Sequence, residues 1–181
     1  YGAVNAYLWS VPQMAMYGSI KQSRFYGARG NNDIFVQYQD ASVDGMLTPN
    51  RTVAYTLHYP NLEETGPFVY EYPEGTSVGL IFDVQMRWNE DMGMVSKHKG
   101  KATKYLLLRE DQPLPQGLDE SEYNIVRTQS NMPLFVYRTL DPSKEPNLPY
   151  ELKAYPYSER SNPQENNFVQ AKKSDEIYPI A

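Results

Sequence analysis

The chain has no cysteine among its 181 residues and only two histidines, His58 and His98. Disulfides, thiolate metal sites and a cysteine nucleophile are therefore excluded, while the compartment stays open, because periplasmic proteins also do without cysteine. No run of about 18 apolar residues occurs, so no membrane span is expected. Cations are in the minority, with 17 Lys and Arg against 22 Asp and Glu and a net charge of -5. Nucleic-acid affinity rests on clustered cations that displace counterions, so no nucleic-acid partner is expected. Short H-x-H or H-E-x-x-H spacings, which set metal ligands on one element, are missing too.

What is abundant points to strands. Sixteen Tyr and 14 Pro against 6 Phe suit half-buried aromatics and many turns. The opening segment is different: Val4, Tyr7, Leu8 and Val11, then Met14, Met16 and Ile20, have helical spacing, with Pro12 expected to kink or break the helix. From there the period changes to two. In 50–59 the alternation sets Val53, Tyr55, Leu57 and Tyr59 on a packed face and Thr52, Thr56 and His58 on a wet one. In "VGLIFDVQMRW" it sets Val78, Leu80, Phe82, Val84, Met86 and Trp88 on one face of a single long strand, with Asp83, Gln85 and Arg87 opposite.

Shorter strand-like runs lie at 34–38, 68–72, 105–108, 123–128, 134–140 and 150–155, separated by turn signals such as "YPEG" and "LPQG". About eight strands without intervening helices predict an antiparallel β-sandwich. The expected organisation is a helical segment over 1–30, the sandwich over 31–158, and a polar linker or docking arm over 159–181.

Six stretches, "AYLWSVP", "TPNRTVAY", "YPEGTSVGLIFDVQMRWNEDMG", "KGKATKYLLL", "IVRTQSN" and "AYPYS", occur in this order between residues 6 and 158. In these the chain resembles the bacterial domain of unknown function 1254 family. The resemblance implies an immunoglobulin-like sandwich preceded by helical structure. It also implies a jelly-roll domain, of unknown function 1214, following as the chain's own C-terminal partner, and a periplasmic or cell-envelope location. The family brings no established activity. Where relatives resembling it show an acidic residue after "TPN", this chain has Arg51, Thr52 and Val53, so a catalytic role is not carried over there.

The stretch 86–108 holds the best candidate chemistry. Asp83, Arg87, Trp88, Asp91, Lys97, His98 and Lys101 are expected to gather beside one sheet face, where Arg and Lys hold a small anionic or sugar-like ligand and Trp88 stacks on it. The plainer reading is a solvated loop whose mixed charges keep a sheet edge soluble, with Trp88 in the core. His58 is expected at the surface of a polar strand face. Ser77 sits where a turn enters a strand with no histidine near it in sequence, which gives nucleophilic catalysis little support.

No residue is assigned a catalytic or metal-binding role, and no cofactor is implied. Two functions follow as expectations. One is a non-catalytic module that binds a ligand or assembles with its own C-terminal domain or a second copy of the chain. The other is part of a metal-assisted hydrolase or lyase, with its site at the interface between domains and Asp91 or His98 as base or ligand.

Overall fold

In a computed structural model, which describes residues 2–38, 50 and 52–170, the chain opens with one long helix, α1 (Gly2–Tyr26). It runs without interruption through Pro12, so the expected break is absent. Its C-terminal half is anchored. Met16 and Ser23 are buried, Ser19 and Tyr59 share a hydroxyl hydrogen bond, and Tyr26 stacks on Phe35 at 5.6 Å. The chain then turns: the Asp33 carboxylate accepts from the Arg29 and Gly30 amides at 2.7 and 2.6 Å, an Asx-type closure that starts β1 (Asp33–Tyr38).

Strands β2 (Ala54–His58), β4 (Ser77–Phe82), β5 (Trp88–Gly93), β8 (Leu134–Thr139) and β10 (Asn167–Gln170) join β1 in a six-stranded sheet, order β10-β1-β2-β8-β4-β5. The second sheet contains β3 (Phe68–Tyr72), β6 (Thr103–Arg109), β7 (Asn124–Thr128) and β9 (Lys153–Pro156), order β7-β6-β3-β9. The architecture is the expected β-sandwich preceded by a helix, with one difference. Two pairs are parallel, β1 with β10 and β6 with β7, so neither sheet is wholly antiparallel. The segment expected to leave the domain as a linker instead supplies β10; residues 171–181 and the "TP" of "TPN" lie outside the described residues.

Between the sheets lies a core rich in aromatics: Phe68, Tyr70, Tyr72, Tyr105, Phe135 and Tyr137, with Tyr70 stacked on Phe135 at 3.8 Å. Their hydroxyls find partners, as buried ones must: Tyr137 donates to the Leu148 carbonyl at 2.9 Å, and Tyr72 pairs with Ser77 at 2.7 Å. Strand β6 is buried on both sides, because its outer residues Leu106 and Leu108 are covered by Leu114, Leu118 and Tyr123. That explains the unbroken apolar run "YLLL".

The six-stranded sheet reverses two sequence expectations. In β2 the inward residues are Ala54, Thr56 and His58, and in β4 they are Ser77, Gly79 and Ile81. The residues expected to pack, Tyr55, Leu57, Val78, Leu80 and Phe82, are half-buried on the outer face. The polar side chains that β2 and β4 turn inward are hydrogen-bonded; Thr56, for example, donates to the Pro149 carbonyl at 2.9 Å. Gly79 is small for a packing reason: a Cβ there would lie 2.7 Å from Tyr137 Cβ.

Candidate functional site

The expected long strand from 78 to 88 is a hairpin. β4 ends at Phe82, and residues 83–87 turn the chain back into β5. Asp83 drives the turn: its buried carboxylate accepts from the Gln85 and Arg87 amides at 2.8 and 2.9 Å and from Arg87 Nε at 2.6 Å. Arg87 also reaches Gln129 at 2.8 Å. These two side chains are spent on each other, and Asp83 is withdrawn from the surface where a ligand-binding role placed it. Val84 and Met86 on the turn and Trp88 just after it are exposed, Trp88 at 59%. Met86 adopts φ 57°, a turn conformation that alternation cannot reveal.

The remaining predicted residues divide. Lys101 is exposed on the loop after β5, where its carbonyl accepts from the Thr103 hydroxyl at 3.0 Å. Asp91 lies opposite Leu80 on the outer side of β5. Lys97 and His98 turn toward the end of the sandwich where the edge strands β5 and β7 approach each other. There Lys97 Nζ donates to Asn124 Oδ1 at 2.7 Å, and the His98 ring meets Tyr105 edge-on at 6.3 Å. Tyr105 donates a long, 3.5 Å hydrogen bond to the Asp91 carbonyl. Burial first, then the Glu90 and Asp91 carboxylates, push its hydroxyl up to about 12, against the lowering hydrogen bond with Ser96.

So the structure brings Lys97 and His98 together with Tyr105, Asn124 and Glu90, and leaves Asp83, Arg87 and Trp88 apart from them. Asn124 had no signal in sequence, because the parallel pairing of β6 and β7 that sets it beside Tyr105 joins residues nineteen apart without a hairpin. Glu90 faces the interior of the sandwich, opposite Ile81, on a strand whose register shifts by a bulge between Ile81 and Phe82.

His58 is a second departure. It is fully buried, not on the surface. Its Nε2 donates to the Asn31 carbonyl at 2.9 Å, which leaves Nδ1 to accept from the Tyr70 hydroxyl at 2.7 Å. Burial lowers its pKa to about 4, so the ring is neutral. Both nitrogens are engaged within the fold.

Residues 75–79 spell G-x-S-x-G, the string of hydrolase nucleophile turns. Here Ser77 begins a strand rather than joining a strand to a helix. It is buried, and its Oγ pairs with Tyr72. The string does not make a nucleophile.

Two hollows are better formed than the loop. One, of about 150 Å³, lies between the last turns of α1 and the six-stranded sheet, with Arg24, Arg29 and Asp33 in its wall. A groove of about 670 Å³ runs beside the edge strands β9 and β10, floored by Leu152 and Tyr155 and flanked by Tyr150 and Phe168. Beside it the Asn166 amide accepts from the Ala154 N–H at 2.9 Å and donates to its carbonyl at 2.7 Å. This imitates a further strand and closes the edge. Among the described residues no three His, Asp or Glu side chains are grouped to hold a metal ion.

The most extensive uncovered feature is apolar. Val4, Tyr7, Leu8, Val11 and Met14 form a stripe at helical spacing along α1, and every one is exposed. At about 100° per residue this stripe is a different face from the one that Met16 and Ser23 bury. Trp9 adds a further exposed ring, at 64%.

No family model and no curated protein matches the chain. Among solved structures, it is similar to the VPA0106 protein from Vibrio parahaemolyticus, with a TM-score of 0.61 at 14% identity. The match covers 96% of this chain and 41% of that one. A putative uncharacterized protein from Burkholderia cenocepacia matches with a TM-score of 0.38 at 9% identity, over 98% of this chain and 44% of its own. The chain thus spans less than half the length of each of these two structures. At these identities the likeness is one of fold.

Proposed function

We propose that this chain is a non-catalytic β-sandwich module that assembles with further polypeptide of its own protein through helix α1 and the outer face of the six-stranded sheet. The observation that carries the reading is the exposed stripe of Val4, Tyr7, Leu8, Val11 and Met14. A helix written with an apolar face separate from the one that anchors it is built to be covered on both sides. Full burial of one such side chain is worth about 1.5–3 kcal/mol, a strong incentive for a partner to cover several.

Tyr55, Val78, Leu80, Phe82 and Val136 line a separate apolar hollow of about 250 Å³ on the outer sheet face. The occupant that best suits both is a segment of the same protein, because the similar Vibrio fold is under half of a longer chain. A second copy of this chain is the competing occupant. The family resemblance adds the further expectation of a jelly-roll partner in the bacterial envelope.

The test compares Trp9→Lys and Leu8→Lys in the isolated chain and in the protein as its native host makes it. Both positions are solvent-facing here, so the isolated chain should keep its unfolding free energy within about 0.5 kcal/mol. In the native protein the same substitutions should loosen the assembly and raise its sensitivity to protease. Equal protease resistance and hydrodynamic radius for native and substituted protein would overturn the proposal, and a change confined to dimer mass would assign the face to a second copy.

The alternative, a metal-assisted hydrolase or lyase, draws no support from a grouped ligand set among the described residues.

A further inference from the structure

The hollow of about 150 Å³ between the last turns of α1 and the six-stranded sheet has charges in its wall that the fold leaves unanswered. Most polar groups of that wall are spent elsewhere. The Asp33 carboxylate accepts from the Arg29 and Gly30 amides and from the Asn167 side-chain amide at 2.9 Å. Asn31 gives its carbonyl to His58 and its side-chain oxygen to the Asn61 amide at 2.8 Å. The Tyr59 hydroxyl pairs with Ser19, and that of Ser23 donates to the Ile20 carbonyl.

Two guanidinium groups and one carboxylate remain in the wall. Arg29 Nε donates to the Arg24 carbonyl at 3.3 Å, which seats one arginine against the backbone of the other and leaves its two terminal nitrogens free. Among the described residues the Arg24 side chain has no hydrogen bond, and neither arginine has an ion pair. The carboxylate is that of Glu64, on the short helix α2 (Leu62–Thr65), and its hydrogen bond from the Asn31 side-chain amide is long, at 3.4 Å. Solvent answers an isolated surface arginine; what sets this pair apart is the hollow they share with an opposite charge.

The charges select the ligand. Guanidinium groups match a carboxylate or phosphate, which they grip through paired N–H donors. A phosphate carries up to two negative charges and would stand beside both Asp33 and Glu64. A plain carboxylate would leave Glu64 without a partner, whereas a molecule with a carboxylate and an ammonium answers both ends. A cavity of this volume admits a molecule the size of benzene, so about six non-hydrogen atoms fit.

We infer that this hollow binds a small α-amino acid, with its carboxylate on Arg24 and Arg29 and its ammonium on Glu64. These residues lie apart from the apolar stripe of α1, so the inference stands independently of the docking proposal.

The test is titration of the ¹⁵N-labelled chain with glycine, alanine, serine, acetate, methylammonium and phosphate, each up to tens of millimolar, followed by backbone amide and arginine Nε chemical shifts. Saturable shifts of the Gly30 and Asn31 amides and of Arg29 Nε with at least one amino acid are expected. Acetate should bind at least about threefold more weakly, because it leaves Glu64 unanswered. Arg24→Gln and Arg29→Gln should each weaken amino-acid binding about tenfold, the loss expected from a charged hydrogen bond. Lys104→Gln, which removes an exposed charge on β6 outside the wall, should leave binding unchanged. Arg24→Lys and Arg29→Lys, which keep the charge and lose the fork, serve if the glutamine variants lose their folded spectrum.

Glu64→Gln separates the two ends of the ligand: it should weaken glycine about three- to tenfold and leave acetate where it was. Acetate or phosphate binding as tightly as the amino acids, or a Glu64→Gln variant that loses glycine and acetate equally, would overturn the inference in favour of a simple anion site. No saturable shift with any amino acid would overturn it and leave the hollow to water.

Discussion

Lowering the pH from 7.5 to 5 should destabilise the fold through His58 alone by about 2 kcal/mol. The ring is enclosed, donates to the Asn31 carbonyl and accepts from Tyr70, and a second proton would have to replace that acceptor role in a fully buried position. Its pKa is about 4 in the fold against an ordinary 6.5. Between those values the unfolded chain binds a proton and the folded chain does not, so stability is fully present above 6.5 and is lost as pH falls toward 4. At 1.36 kcal/mol per unit the whole window is worth about 3 kcal/mol, of which about 2 is gone by pH 5.

Urea unfolding at half-unit steps measures this directly, and the window stays above the ordinary carboxylate range. His58→Gln, which keeps a donor and an acceptor but cannot titrate, should flatten the profile over the same range. A wild-type profile already flat between 7.5 and 5, or an unchanged slope in His58→Gln, would refute the reasoning.

Three further outcomes can be measured by the same denaturation assay. Asp83→Ala removes the acceptor of two amides and a guanidinium at a buried turn and should cost about 2–3 kcal/mol, whereas Arg87→Ala, whose side chain is largely exposed, should cost under about 1. Asn166→Ala strips the imitation strand from Ala154 and should cost about 1–2 kcal/mol, with a new tendency to aggregate through the freed edge of β9. Gly93→Ala should cost upwards of about 2 kcal/mol, because the residue has φ 69° and a Cβ would fall 2.2 Å from the Ser77 carbonyl oxygen; a cost below about 1 would mean that β4 and β5 can separate freely.

Much of the fold is legible in the sequence, because period two marks strands such as β2 and β4 and short apolar runs mark those buried on both sides, such as β6. Periodicity defines two faces but does not say which is inside. In β2 and β4 the usual assumption that the apolar face goes in fails: Thr56, His58, Ser77 and Gly79 face the core, and Tyr55, Leu57, Val78, Leu80 and Phe82 remain half-buried on the outer face. The hairpin at 83–87 was hidden for a related reason. Val84, Met86 and Trp88 continue the alternation of β4 in sequence, although the chain has reversed. The turn carries neither Gly nor Pro, and its signal is the Asp83 side chain folding onto amides two and four residues on.

Of the candidate site, Lys97 and His98 were readable as a charged loop. Asn124 and Tyr105 join them only through a parallel strand pair, which leaves no local mark. The helical spacing of Val4, Tyr7, Leu8 and Val11 was readable as well, but spacing records that a face is apolar and not what covers it.

That cover is the central claim, and site-specific photo-crosslinking tests it most directly. A benzophenone amino acid is placed in turn at Trp9, at Leu80 and, as a control, at exposed Glu120, in the protein made by its native host. Crosslinks from positions 9 and 80 to a segment of the same polypeptide outside residues 1–181, with none from position 120, are the expected result. Unreacted probe at positions 9 and 80, with adducts no more frequent than at position 120, would mean that the apolar stripe of α1 faces water and would contradict the assembly role.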